Sequence, residues 1–188
     1  MRKLDRGTLK TALCDAVREG WAAFRREYPD DPVYGLGLYT SDEAGYIGMT
    51  VFSEGGLTEV ATEYAEEAGV EIEDKKPCLR WSPCDSPHHL WRPDLFETAQ
   101  KLLDAGADPV AAFEVFVDAL RTLDAEGTFG ADRASMVISI WIGDQSDEDR
   151  VDYARRLNPE PIAERFEEEL EEIAETCFGT RDEDSLWD

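Results

Sequence analysis

The sequence predicts an α+β fold: a single domain in which a small, mainly antiparallel sheet is packed by five or six helices. Three observations carry this expectation. Val33–Thr40 and Tyr46–Ser53 have the composition of short strands, and the polar stretch Ser41-Asp-Glu-Ala-Gly45 between them reads as a hairpin loop. Several longer stretches repeat apolar residues at three- and four-residue spacing, the period of a helix with one buried face. At 188 residues the chain is long enough for one core to bury about 70% of the surface its unfolded form exposes, without help from a metal or disulfide.

The elements follow in order. Leu9, Leu13, Val17, Trp21, Phe24 and Tyr28 mark a first helix over Leu4–Tyr28. Pro29 and Pro32 stop it, because proline lacks an amide donor and restricts the residue before it. In the first strand, alternation sets Gly35 and Gly37 on one face and Tyr34, Leu36 and Leu38 on the other. Two glycines on one face invite the close approach of an aromatic ring, another backbone or a ligand; packing is the simpler reading. A second helix covers Leu57–Ala68 and ends at Gly69. Pro77–Pro93 is irregular and concentrates Trp81, Cys84, Asp85, His88, His89 and Trp91.

Asp94 and Glu97 have the spacing of a capping box for a helix that ends near Gly106. Asp108-Pro109 starts the next one, with Val110, Phe113, Phe116, Val117, Leu120 and Leu123 on its buried face. Met136–Ile142 reads as a central strand, and its apolar residues on both faces imply helices on both sides or one face packed under a loop. Ser146 with Asp149 caps a helix through Leu157, which breaks at Asn158-Pro159. A last helix carries Ile162, Phe166, Leu170, Ile173 and Cys177. The domain is expected to span residues 1–178, with a disordered acidic tail over 179–188.

Charge is the most unusual property. Forty-three Asp and Glu against nineteen Lys and Arg give a net charge of −24. Met1–Pro29 is basic, with seven basic and four acidic residues; Asp144–Asp188 holds seventeen acidic and five basic residues and supplies half of the net negative charge. Such a field repels nucleic acid and anionic membranes and attracts basic partners over a Debye length of ~8 Å. Excess acidity is also a feature of salt-adapted proteins, which offers an explanation unconnected with binding. With no membrane-length apolar run and no signal-peptide layout, the expected compartment is the cytoplasm; the oligomeric state stays open, with a monomer slightly favoured.

The cysteines Cys14, Cys78, Cys84 and Cys177 lack paired CxxC spacing and are expected to be buried thiols in a reducing compartment. Cys78, Cys84, His88 and His89 form the one conceivable metal constellation, but five residues separate the cysteines where zinc sites use two to four. No metal or cofactor is expected. The two histidines are the only ones in the chain, and no nucleophile elbow, zinc-protease motif or phosphate loop is present. Asp144–Asp149 superficially resembles a calcium loop, yet lacks its glycine and distal glutamate and reads better as a helix cap.

The segments Glu19-Gly-Trp-Ala-Ala-Phe24, Val33-Tyr-Gly-Leu-Gly-Leu-Tyr-Thr40, Leu79-Arg-Trp-Ser-Pro83, the Trp141 strand followed by Asp144, and Arg156-Leu-Asn-Pro159 occur in an order that resembles the bacterial domain-of-unknown-function family 4303. The likeness runs from about Leu9 to Phe178. It implies a compact α+β bacterial domain and brings no catalytic residues. Small acidic immunity proteins of toxin systems offer a further analogy, in charge and architecture alone.

Two functional readings emerge. In the first, Glu164, Glu167, Glu168, Glu171, Glu172 and Glu175 on the last helix form a docking face for a basic protein, such as a toxin or nuclease that the domain inhibits without itself being an enzyme. Like charges at such spacing weaken a helix by ~0.2–0.5 kcal/mol each, so their retention calls for a compensating reason. In the second, Trp81, Asp85, His88, His89 and Trp91 line a small-molecule or catalytic pocket.

Overall fold

The structure, a computed structural model, describes residues 4–106 and 108–178. The expected tail over 179–188 lies outside them. Among the described residues the order is α1 (Arg6–Glu27), β1 (Val33–Thr40), β2 (Ile47–Ser53), α2 (Glu54–Ala68), α3 (Ile72–Leu79), α4 (Glu97–Asp104), α5 (Pro109–Ala125), β3 (Val137–Ile142), α6 (Asp147–Leu157) and α7 (Glu160–Ile173). A π-type turn, Ala174–Phe178, follows α7. The helix that sequence reading missed is α3, whose internal Pro77 disguises it.

The sheet order is β2-β1-β3, so β1 is the central strand and β3, expected to be central, lies at an edge. β1 pairs antiparallel with β2 and parallel with β3, so the sheet is mixed. A parallel partner is possible because four helices intervene between β2 and β3, ample length for a crossover. Both faces are covered, and every residue of β1 and β2 is buried. One face carries Leu36, Leu38, Met49, Val51, Ile138 and Ile140 against α1, α4 and α5. The other carries Tyr39, Phe52, Val137 and Trp141 against α2, Trp81, α6 and α7.

Alternation fails at one point in β1. The register shifts between Val33 and Gly35, leaving Tyr34 as a bulge. Tyr34 therefore joins the Phe52–Trp81 side, with Gly35, rather than lying with Leu36 and Leu38. The glycine face is filled by aromatic rings, the packing alternative: a Cβ on Gly35 would come within 2.6 Å of the Trp81 ring.

Helix ends follow local chemistry. Gly69 adopts a left-handed conformation, φ 67°, and closes α2. The Ser146 side chain accepts from the Asp149 amide and starts α6, which accounts for the Asp144–Asp149 stretch as a cap. The capping box at Asp94 does not form. Pro93 opens a 3-10 turn instead, α4 begins only at Glu97, and the Asp94 carboxylate holds Arg92 at 2.9 and 3.0 Å. Val110, placed on the buried face by periodicity, is 73% exposed; it sits in the first turn of α5, whose buried residues begin at Ala112.

Asn158 explains the Arg156–Pro159 segment. Its side-chain amide donates to the Ile138 carbonyl at 2.7 Å and accepts from the Ile138 amide at 2.9 Å, pairing with the outer edge of β3. It also donates to Ala154 at the end of α6, and Pro159 immediately precedes α7.

The expectation that all four cysteines are thiols is corrected. Cys78 and Cys177 form a disulfide across 99 residues of sequence, with Cα atoms 5.7 Å apart. The fold brings the end of α3 against the turn after α7, a proximity that spacing along the chain does not reveal. Of the remaining pair, Cys14 is buried and Cys84 exposed.

Candidate functional site in the acidic groove beside the last helix

The acidic residues of α7 do not form one face. Phe166 and Leu170 are buried and fix the rotation of the helix. Glu167 and Glu171 then point toward α6, while Glu172 and the unpredicted Glu169 turn toward α2 and α3. Glu164, Glu168 and Glu175 are exposed and line neither cleft.

Between α6 and α7 runs a groove of about 400 Å³. Its floor is apolar, formed by Val151, Leu170 and Ala174. Its walls are acidic: Asp147, Glu148 and Asp152 from α6, and Glu167 and Glu171 from α7. The first-turn acids of α6 are well placed there, because a helix N-terminus favours negative charge. Arg155 is the single cation in this lining, and it is engaged by Glu167 at 2.6 Å; Asp147 holds Arg150 at 3.3 Å. Among the described residues, Glu148, Asp152 and Glu171 form no ion pair.

On the other side of α7, Arg80 locks the irregular segment to three elements. Its guanidinium meets Glu54 of α2 at 3.0 Å and Glu169 of α7 at 3.1 Å, and stacks 4.1 Å from the Tyr34 ring of β1. Burial alone would lower the Arg80 pKa; hydrogen bonds and charge from Glu54 and Glu169 outweigh it and raise the value. Glu169 also accepts from the Trp81 indole at 2.9 Å, and Tyr34 donates to the Arg80 carbonyl at 2.7 Å. A cleft of about 420 Å³ opens beside this latch, between Leu57, Pro77 and Ile173. Sequence reading missed Glu169 among its many acidic neighbours. The available signal was its position flanking the Phe166–Leu170–Ile173 stripe.

The residues of the second functional reading are scattered by the fold. Trp81 is 3% exposed and packs against Tyr34, Phe52, Trp141 and Phe166. His88 is buried on the opposite side, between Phe24, Tyr28 and Trp91. His89 turns instead toward Tyr39 and Thr50, with its Nδ1 3.2 Å from the Thr50 hydroxyl. Asp85 accepts from Tyr64 at 2.7 Å and from Ser82. Trp91 donates its indole N–H to the Gly20 carbonyl, and its backbone pairs with Met49. Asp85, His88, His89 and Trp91 line neither the groove nor the Arg80 cleft. Cys78 is taken by Cys177, and among the described residues no group of three or more His, Cys, Asp or Glu could hold a metal ion.

Burial holds both histidines below their ordinary pKa. The unfolded chain therefore takes up protons near pH 6.5 that the folded protein refuses, and stability falls as pH drops through that value toward the folded pKa. Each histidine contributes at most ~1.4 kcal/mol per pH unit, and only between the unfolded value near 6.5 and its lower folded value. Urea midpoints measured across this window should fall with acidification, and His88→Phe should shallow the slope. An unchanged slope would place the acid sensitivity elsewhere.

The fold and the Arg80 latch define a three-layer α+β domain, with a small mixed sheet between two helical layers. The chain belongs to the domain of unknown function family DUF4303, whose model matches residues 13–159. The match takes in the sheet, the Leu79–Pro83 segment and Asn158, and stops before α7. No curated protein and no solved structure matches the chain.

Proposed function

We propose that this protein is a non-enzymatic binding domain for a basic protein, of the kind that inhibits a cationic bacterial toxin or nuclease. The observation that carries the reading is the groove between α6 and α7, where Glu148, Asp152 and Glu171 stand without ion pairs above an apolar floor. Such a surface steers a cationic partner electrostatically and then accepts an apolar anchor. The small-molecule alternative drew on Trp81 and His88, and their packing inside the two cores favours the first reading. No helix among the described residues is long and apolar enough to cross a membrane. We place the protein's action in the cytoplasm, where a disulfide forms transiently rather than permanently.

The test uses a partner recovered at low salt and then purified. Reversing Glu148, Asp152 and Glu171 to Lys should slow its association by at least ~10-fold, with a flattened salt dependence. Reversing the outward-facing Glu164 and Glu168 should act far more weakly. An association rate that ignores the groove reversal removes the proposal.

A further inference from the structure

Beyond Leu170 and the Arg80–Glu169 latch, the acidic end of α7 has little to hold it. Its buried anchors, Ala163, Phe166 and Leu170, all lie in the first three turns, and Ile173 beyond them is only half-buried. Glu168, Glu171, Glu172 and Glu175 crowd the remaining length at three- and four-residue spacing. The last turn of α7 contains no basic residue. Repulsion between these carboxylates and the negative pole of the helix both act against this end. The bridge from Cys177 to Cys78 ties it to α3. This tether opposes the fraying that the glutamates favour.

The same end supplies Glu171 and Ala174 to the groove, and Cys78 is exposed to solvent. We infer that the Cys78–Cys177 pair is a redox switch that controls the acidic groove, an inference that rests on the proposed reading of the groove as a binding site. A dithiol reductant opens it by thiol–disulfide exchange. One reductant thiolate attacks Cys78 Sγ, breaking the bridge and releasing Cys177 as a thiolate that takes up a proton. The second reductant thiol then displaces Cys78 from the mixed disulfide. Two electrons and two protons pass to the cysteine pair, and the reductant leaves as its own disulfide. The freed turn frays, and the groove loses part of its α7 wall.

Three forms of the full chain test this: oxidised, reduced with dithiothreitol, and Cys78→Ser. Thiol titration under denaturant should count two thiols in the oxidised form, Cys14 and Cys84, and four after reduction. Amide exchange over residues 168–178 should accelerate by about tenfold or more on reduction, and be fast in Cys78→Ser under either condition. Affinity for a synthetic amphipathic lysine–leucine peptide should fall about tenfold in the same forms. Exchange that ignores reduction overturns the switch and leaves the groove reading untouched. Exchange that responds, with no peptide bound even by the oxidised form, overturns the groove reading and supports the tether. Exchange that responds while affinity stays equal in both states overturns the switch. Four thiols in protein exposed to oxidised glutathione overturn it as well.

Discussion

Trp81→Ala is expected to cost about 3–5 kcal/mol of folding stability, measured by urea denaturation under non-reducing conditions. The ring fills the space between β1 and α7. It stacks on Trp141 at 5.8 Å between ring centres and meets Phe166, Phe52 and Tyr34 edge-on. Its indole N–H is bonded to Glu169, which Arg80 also holds. Truncation opens a cavity at the junction of β1, β2, β3 and α7 and loosens the latch in the same step. Trp81→Phe keeps most of the aromatic contact and loses the hydrogen bond, so its cost should be nearer ~1–2 kcal/mol. A loss below ~1 kcal/mol for the alanine variant would mean that this segment is not part of the core. The pocket reading of Trp81 to Trp91 would then regain its standing.

Gly37→Ala should cost about 3 kcal/mol, a large effect for one added methyl group. Gly37 lies at the centre of β1, paired with Thr50 on one side and Ser139 on the other. A Cβ there collides with the Ser139 carbonyl oxygen and comes within 2.5 Å of the Trp141 indole nitrogen. The carbonyl belongs to the backbone of the neighbouring strand, so β1 and β3 must separate to admit the methyl. At Gly35 the obstruction is the Trp81 ring, with Phe52 at 3.1 Å, and side chains can yield. Gly35→Ala should therefore be the milder change. The measurement is the difference in urea midpoint between the two variants. Equal or reversed costs would refute the view that backbone apposition dictates Gly37.

Much of the fold was legible because its signals are local. Val33–Thr40 begins and ends where its composition does, Gly69 closes α2, and Ser146 opens α6. Both-sided apolarity in Val137–Ile142 pointed to cover on both faces, and the helical alternative is the one found, although the strand lies at the edge of the sheet rather than its centre. Most of the misreadings share a cause, a partner distant in sequence; Asp94 is the local exception. The bulge at Tyr34 is stabilised by contacts with Arg80 and Trp81, more than forty residues away. Asp94 had an attractive local role as a cap but follows Arg92, because Pro93 sets the backbone. Cys78 and Cys177 carry no spacing signal across 99 residues. Of the six glutamates singled out on α7, two reach the groove, and rotation of the helix about Phe166 decides which. Asp147, Glu148 and Asp152 complete the groove from α6, where the sequence announced only a helix start.

The two outer strands of the sheet have their flanks occupied. At β3 the Asn158 amide takes both main-chain groups of Ile138. At β2 the Trp91 amide binds Met49, and the Val51 amide and carbonyl meet His88 and the Ser86 hydroxyl. A visiting peptide extended alongside either strand finds those hydrogen-bonding positions taken. Recognition by strand addition is disfavoured on both flanks, as is the edge-to-edge stacking that begins fibril growth. Asn158→Ala would unblock Ile138, turning a sheet protected from self-association into one with an open template on its β3 side.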